Sequence, residues 1–322
     1  MNKQMAKLAT IFIRDRDERK KRQKELIEQS INKTKLIMVL LCKDEADILD
    51  DWFLFHKAMG VDAFIVTDNN STDGSREILQ KYKDKGWILE LIDEPSTTIH
   101  QADWCNRMIL TAKNKYKADW IISSDADEFW YAQSLNLKHD IVENGDCNSL
   151  SVYLKNFIPY LNSENFINEP YFIGRRLHRF EEEKYNIKSK MYSCEDLTPK
   201  VIMKASDYKM IGEGNHKARM YHKRKSHIAD IVVYHYFIRN FKHFNDKVRK
   251  GGEAIKNLSN KSFGTHWRDW YENYYLTDKM QVAWNEYFLF KRFNDLCNIG
   301  VIVKDTSIAD FMEQIRETEI KG

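Results

Sequence analysis

An open, mostly parallel α/β sheet followed by a helical C-terminal region is the fold class that three observations predict. Between residues 36 and 130, short apolar runs alternate with amphipathic stretches at the spacing of βαβ units. The runs are continuous rather than alternating in polarity, as strands covered on both faces are. From 238 to 295 the spacing turns helical and very rich in Phe, Tyr and Trp.

The elements follow in order. Residues 1–34 form a basic arm in which Met5, Leu8, Ile11 and Phe12 stand at helical spacing ahead of a charge block. LIMVLLC (36–42) reads as a buried strand and ADILDDWFLFHKAMG (46–60) as a helix ended by Gly60. AFIVTD (63–68) is a second strand, 69–86 turn residues and a helix, and WILELID (87–93) a third strand. A helix over 100–117 leads into a fourth strand over 118–130 that runs into acidic residues. Beyond it, 149–161, 200–206 and 228–237 read as strands, with a long polar insertion over 162–199. The predicted division is a helical arm (1–34), an α/β domain (35–240) and an aromatic-rich helical extension packed on it (241–322).

Composition bounds the function. At 322 residues, 43% hydrophobic and 31% charged, the chain has material for one large domain or two ordinary ones. Twelve Gly and four Pro exclude a collagen-like or linker-dominated chain. No apolar run approaches the ~20 residues that cross a bilayer. Five scattered cysteines without a CxxC fit neither a disulfide framework nor a thiolate zinc site, so a reducing compartment is expected. The net charge of +3 is uneven: residues 1–35 hold eleven Lys/Arg against five acids, a net +6, and the rest of the chain sums to −3. A slightly acidic body argues against nucleic acid as a partner. The arm has two readings: a helix packed on the body or on a partner, the default for such a segment, or a peripheral anchor with its apolar face in lipid headgroups. The expected location is cytoplasmic, with peripheral contact at the inner face of a membrane through the arm.

The chemistry concentrates where strands end. Asp44, Asp68, Asp93 and the pair Asp125/Asp127 each follow an apolar run, and ligands in such sheets bind beyond the carboxyl ends of the strands. Helix capping and turns account for Asp44 and Asp73 but not for Asp125 and Asp127 together. Two carboxylates at i and i+2 can converge where a strand breaks into a turn, and oxygen ligands suit Mg²⁺ or Mn²⁺ bound to a diphosphate. Neither GxxxxGK[ST] nor GxGxxG occurs, so the P-loop and dinucleotide-binding readings lack their phosphate cradle.

These residues carry a resemblance. CKDEADILDDWFLFHKAMGVDAFIVTDNNSTDGS followed by ADWIISSDADEFW resembles the nucleotide-sugar half of a GT-A glycosyltransferase, a Rossmann-like fold. Within that class the chain is similar to the family-2-like branch related to glycosyltransferase family 92. The shared pattern is (N/D)E-x-x-x-L-x-x-W-x-x-x-H-x-x-x-G before D-N-x-S-x-D-G. KVIMKASDYKMIGEGNHKA and VVYHYFIRNFKHFNDKV are similar to later segments of that branch, so the resemblance covers roughly 35–250.

Carried over, the resemblance implies a metal-dependent transfer of a sugar from a nucleotide-sugar donor, UDP-type, to a hydroxyl of a glycan or lipid-linked glycan acceptor. Cell-surface polysaccharide or lipopolysaccharide synthesis with inversion is the implied setting. It places Asp44 and Glu45 near the nucleotide, gives Asp68 a base N–H, lets Asp73 hold the following loop, and sets Asp125 on the ribose or donor sugar. Asp127 and His235 would bind Mn²⁺ or Mg²⁺, and His216 would face the diphosphate or acceptor; a core histidine at 235 and a surface one at 216 are the competing readings. Asp196, Glu213 and Glu128 are the candidates for the base that deprotonates the acceptor. Trp267 and Trp270 are candidates to stack on acceptor sugars, although aromatics at helical spacing are more commonly core. Two other classes stay open. A non-catalytic nucleotide- or sugar-binding protein would be expected to lack the paired acids. A metal-dependent nucleotidyltransferase or phosphohydrolase would be expected to carry further carboxylates or a Gly-rich loop.

Overall fold

The computed structural model describes residues 2–96, 100–186, 199–222, 227–255 and 265–321. Two helices open the chain, α1 (Lys3–Ala9) and α2 (Arg16–Lys33). Then come β1 (Leu36–Cys42), α3 (Ala46–Ala58), β2 (Ala63–Asp68), α4 (Ser75–Asp84), β3 (Ile88–Asp93), α5 (Gln101–Asn114) and β4 (Trp120–Asp125). β5 (Glu128–Ala132), α6 (Leu137–Glu143), β6 (Ser149–Asn156), β7 (Tyr171–Ile173) and α7 (Arg179–Tyr185) follow. Next are β8 (Lys200–Lys204), β9 (Tyr208–Ile211), β10 (Ala218–Met220) and β11 (His227–His235). The chain ends with α8 (Phe241–Ile255), α9 (Thr265–Trp270), α10 (Met280–Phe288), α11 (Phe293–Asn298), β12 (Ile302–Lys304) and α12 (Ser307–Lys321).

Eight strands form one sheet in the order β3-β2-β1-β4-β8-β6-β11-β5. β1 pairs in parallel with β2 and β4, and β2 with β3; β8 then pairs antiparallel with both β4 and β6. The expected α/β fold class, with its parallel half and helical C-terminal region, is the one observed. Leu36 through Leu40 are completely buried, which is why β1 reads as an unbroken apolar run. α5 covers one face of the parallel half through Cys105, Met108, Ile109 and Ala112, packed with Ile37, Val39, Ile65 and Ile121.

The predicted fourth strand over 118–130 is two strands. β4 stops at Asp125, Ala126 and Asp127 turn, and β5 runs beside β11 at the sheet's far edge. Three strands stand between β4 and β5 in the sheet order, and two residues cannot span that distance at ~4.8 Å per strand unless the sheet curls. The apolar pattern of Ala126, Phe129 and Trp130 continues across the break, so hydropathy alone does not reveal it.

The chain groups into two compact units. The first comprises Met1–Leu154, Leu197–Tyr234 and Gln314–Gly322, the second Lys155–Asp196 and His235–Glu313. Most of the insertion thus groups with the C-terminal helices. In the second unit β7 pairs antiparallel with β12, and Phe244, Trp270, Trp284 and Phe288 form an aromatic core. Trp270 is part of that core, 7% exposed, and not a stacking platform; the side chain of Trp267 lies outside the described residues.

Candidate functional site

Strand register brings the acidic ends level. Asp68 lies opposite Cys42 on one side and Asp93 on the other, while Asp125 lies opposite Leu41. The loops beyond these ends are laced together by hydrogen bonds. Asp44, at a positive φ of 54°, accepts from the Thr72 N–H at 2.7 Å, and its own N–H donates to Ser71 Oγ at 3.0 Å. Ser71 Oγ donates in turn to Asp68 Oδ1 at 2.6 Å. Asp73 accepts the Ala46 N–H at the start of α3 (3.0 Å) and both donors of Ser75 at the start of α4. Glu45 donates its N–H to Ser75 Oγ at 2.8 Å. Asp93 holds Arg76 at 3.1 Å and Glu94 holds Arg107 at 3.1 Å. Asp44, Asp68 and Asp73 therefore shape the rim, and nearby guanidinium groups are engaged by its carboxylates.

The centre of the site is a buried ion cluster. Lys200, the first residue of β8, is 4% exposed. Its ammonium lies 2.6 Å from Glu128 Oε1 and 3.1 Å from Asp125 Oδ2, and donates to the Gly214 carbonyl at 2.8 Å. Burial alone pushes this amine toward neutrality, but the Glu128 and Asp125 carboxylates outweigh it and hold the ammonium well above its ordinary range. Glu128 is fully buried and its other oxygen accepts the Asp125 N–H at 3.3 Å. Asn215, 2% exposed, donates to Asp125 Oδ1 at 3.4 Å and accepts from Ser123 Oγ at 2.9 Å. The turn that delivers Asn215 needs two left-handed residues, Gly214 at φ 70° and Asn215 at φ 58°. A Cβ on Gly214 would lie 2.7 Å from the His216 ring, so only glycine fits there.

α3 fastens the strand after the paired acids. Trp52 and His56 lie one turn apart on its buried face. Trp52 Nε1 donates to the Glu128 carbonyl at 3.0 Å, and His56 Nε2 accepts the Trp130 N–H at 3.1 Å. His56 Nδ1–H donates to the Trp52 carbonyl at 2.8 Å, so the ring is the neutral Nδ1–H tautomer; burial lowers its pKa to about 3. Trp130 Nε1 donates to Ser124 Oγ at 3.0 Å, tying β5 back to β4. α3 ends at Gly60, whose φ of 90° and 2.6 Å approach of an added Cβ to Asn136 Oδ1 both exclude a larger residue.

The first unit holds Asp44, Glu45, Asp68, Asp73, Asp125, Asp127, Glu128 and His216. Asp127 occupies the β4–β5 turn and is 7% exposed. His216 is half-buried against Gly214. His235 belongs to the second unit, where its Nδ1 pairs with Asn156 Oδ1 at 2.9 Å. Asp196 and the side chain of Glu213 lie outside the described residues. Among the described residues, no three His, Cys, Asp or Glu side chains gather as a metal-binding group. Sequence reasoning missed Lys200 and Asn215. A lysine heading the apolar run VIM is the signal that could have found the first; Asn215, paired across a turn of 2 left-handed residues, has no such signal.

Comparison with known proteins matches this architecture to one family. The model of Glycosyltransferase family 92 matches residues 42–282, from the end of β1 into α10. A glycosyltransferase family 92 protein of Arabidopsis thaliana is 24% identical over 99 residues, a stretch that spans 31% of this chain and 17% of that protein's length. Among solved structures, S. aureus TarS 1–349 is 13% identical with a TM-score of 0.38, covering 82% of this chain and 74% of TarS. The mannosyltransferase PcManGT of Pyrobaculum calidifontis, in complex with GDP-Man and Mn²⁺, is 14% identical with a TM-score of 0.39, covering 69% and 64%. Likenesses at that level carry no inference of their own. The family model spans the rim, the ion cluster on Lys200 and the α3 clamp alike, and the chain belongs to glycosyltransferase family 92.

Proposed function

We propose that this protein is a glycosyltransferase that moves a sugar from a UDP-type nucleotide sugar to a hydroxyl of a glycan or lipid-linked glycan, with inversion, in cell-surface polysaccharide or lipopolysaccharide synthesis. The observation that carries the reading is the acidic rim at the carboxyl ends of four parallel strands in a family 92 chain. Among the described residues, the buried Lys200 ammonium at this rim is already committed to Asp125 and Glu128, so it is not available as the counter-charge of a diphosphate.

That charge balance favours a divalent cation. Asp127 is its proposed ligand, a carboxylate suited to Mg²⁺ or Mn²⁺, which take their remaining ligands from phosphates and water; His235 stays a proposed ligand on the family resemblance alone. When bound, the cation would offset the negative charge that develops on the leaving phosphate. In the transfer, the sugar C1–O bond to the diphosphate breaks while the acceptor oxygen bonds to C1, and the acceptor proton passes to a carboxylate. Glu128 is unsuited to take it, being fully buried on Lys200, and serves instead to hold the Asp125 backbone and the ammonium. Asp196 and Glu213 remain the proposed bases. Asp125, fixed by Lys200 and Asn215, would receive a ribose or sugar hydroxyl, and His216 would face the diphosphate. Turnover of UDP-sugars by the purified chain, with and without Mn²⁺, tests the reading. Metal-dependent release of UDP supports it, and absence of release from every nucleotide sugar contradicts it.

A further inference from the structure

The N-terminal hairpin presents a fixed apolar tip. α1 docks through Asn2, Ala6 and Thr10, spaced four residues apart and 9%, 0% and 1% exposed. Its apolar side chains do not share that face. Met5, Leu8, Ile11 and Phe12 are 57%, 62%, 58% and 93% exposed, and so stand in water. Single exposed hydrophobics need no explanation, but four within eight residues form a patch. The tip is held rather than frayed. Gln23 donates to Thr10 Oγ1 at 2.9 Å, and the Arg19 guanidinium donates to the Ile13 carbonyl at 2.7 Å through Nε. α2 in turn is seated by Ile31, 5% exposed.

Charge identifies what covers the patch. Lys7, Arg14, Arg16, Lys20 and Lys21 are all exposed on the same hairpin and outnumber the exposed acids of that stretch, Asp15, Asp17 and Glu18, and residues 1–35 sum to +6 against −3 for the rest of the chain. A second copy of this arm would be repelled by the same charge. We propose that the α1–α2 hairpin is a membrane-docking element that inserts Leu8, Ile11 and Phe12 among the headgroups of an anionic lipid surface. Basic side chains around an apolar insertion are the combination such binding needs, because neither term alone anchors stably.

Co-sedimentation of the full chain with vesicles tests this. The protein should bind vesicles of phosphatidylcholine containing about one-third phosphatidylglycerol, bind phosphatidylcholine alone weakly, and release at high salt. Leu8→Asp with Phe12→Asp should lower the bound fraction at least tenfold, and Lys20→Glu with Lys21→Glu should weaken binding to the anionic vesicles by more than tenfold. Leu276→Asp, at a site 61% exposed in the second unit, should leave binding unchanged. Because all these positions are exposed, each variant should melt with the wild type. No binding to anionic vesicles, or binding that the tip variants do not alter, would overturn the proposal. So would a dimer in sedimentation velocity that Phe12→Asp dissociates, which would make the patch a contact between copies.

Discussion

Removing the Lys200 ammonium would leave the Asp125 and Glu128 carboxylates buried together without their counter-ion. Breaking a buried pair by deleting one partner typically costs about 3–5 kcal/mol, so Lys200→Met should lower the unfolding free energy by that order in denaturant titrations. Adding Glu128→Gln should recover part of the loss, because the second substitution removes one of the orphaned charges. Asp127 lies in the β4–β5 turn, and Asp127→Ala should abolish Mn²⁺-dependent turnover while the metal-free protein melts near the wild type. At this scale the sequence was half legible. Asp125 and Asp127 announce themselves as paired acids after an apolar strand. Lys200 does not, because its role depends on β8 pairing antiparallel with β4, a contact some 80 residues away in the chain.

Helix α3 shows how a family pattern can be mostly scaffold. Of its pattern, Leu49 is core, Trp52 and His56 clamp β5, Gly60 closes the helix, and Asp73 joins the starts of α3 and α4. The clamp predicts a pH effect. His56 is held neutral with its pKa lowered from 6.5 to about 3, so its share of stability is fully present above pH 6.5 and is lost as the pH falls toward 3. The effect is on the order of 4 kcal/mol across that window. Asp140, whose pKa burial raises to about 6, acts in the opposite sense between about pH 4 and 6, so the comparison must be differential. The gap in stability between wild type and His56→Gln should narrow as the pH drops from 6.5. Elements from β1 to α5 were legible within a few residues because parallel strands, buried on both faces, are bounded by turn residues. The β4–β5 break was not, since Ala126 and Phe129 keep the segment apolar through the turn.

For the molecule as a whole, aromatic content after 238 turned out to mark a core. Trp284, 4% exposed, packs edge-on against Phe241 and Phe288 with ring centroids 5.7 and 4.6 Å away, and Trp284→Ala should cost about 3–5 kcal/mol in a thermal or denaturant melt. The grouping of 155–196 with 235–313 was not legible, because β7–β12 pairing joins segments about 130 residues apart and leaves no local trace. The central claim, that the rim at the strand ends receives a metal-bound nucleoside diphosphate, is tested most directly by thermal shift with UDP, GDP and CMP and their sugars, with and without Mn²⁺. A ligand at 100-fold its Kd adds about 2.7 kcal/mol to the folded state. The account predicts stabilisation by UDP or a UDP-sugar that requires Mn²⁺ and disappears in Asp127→Ala. Stabilisation by no nucleotide, with or without metal, would contradict it.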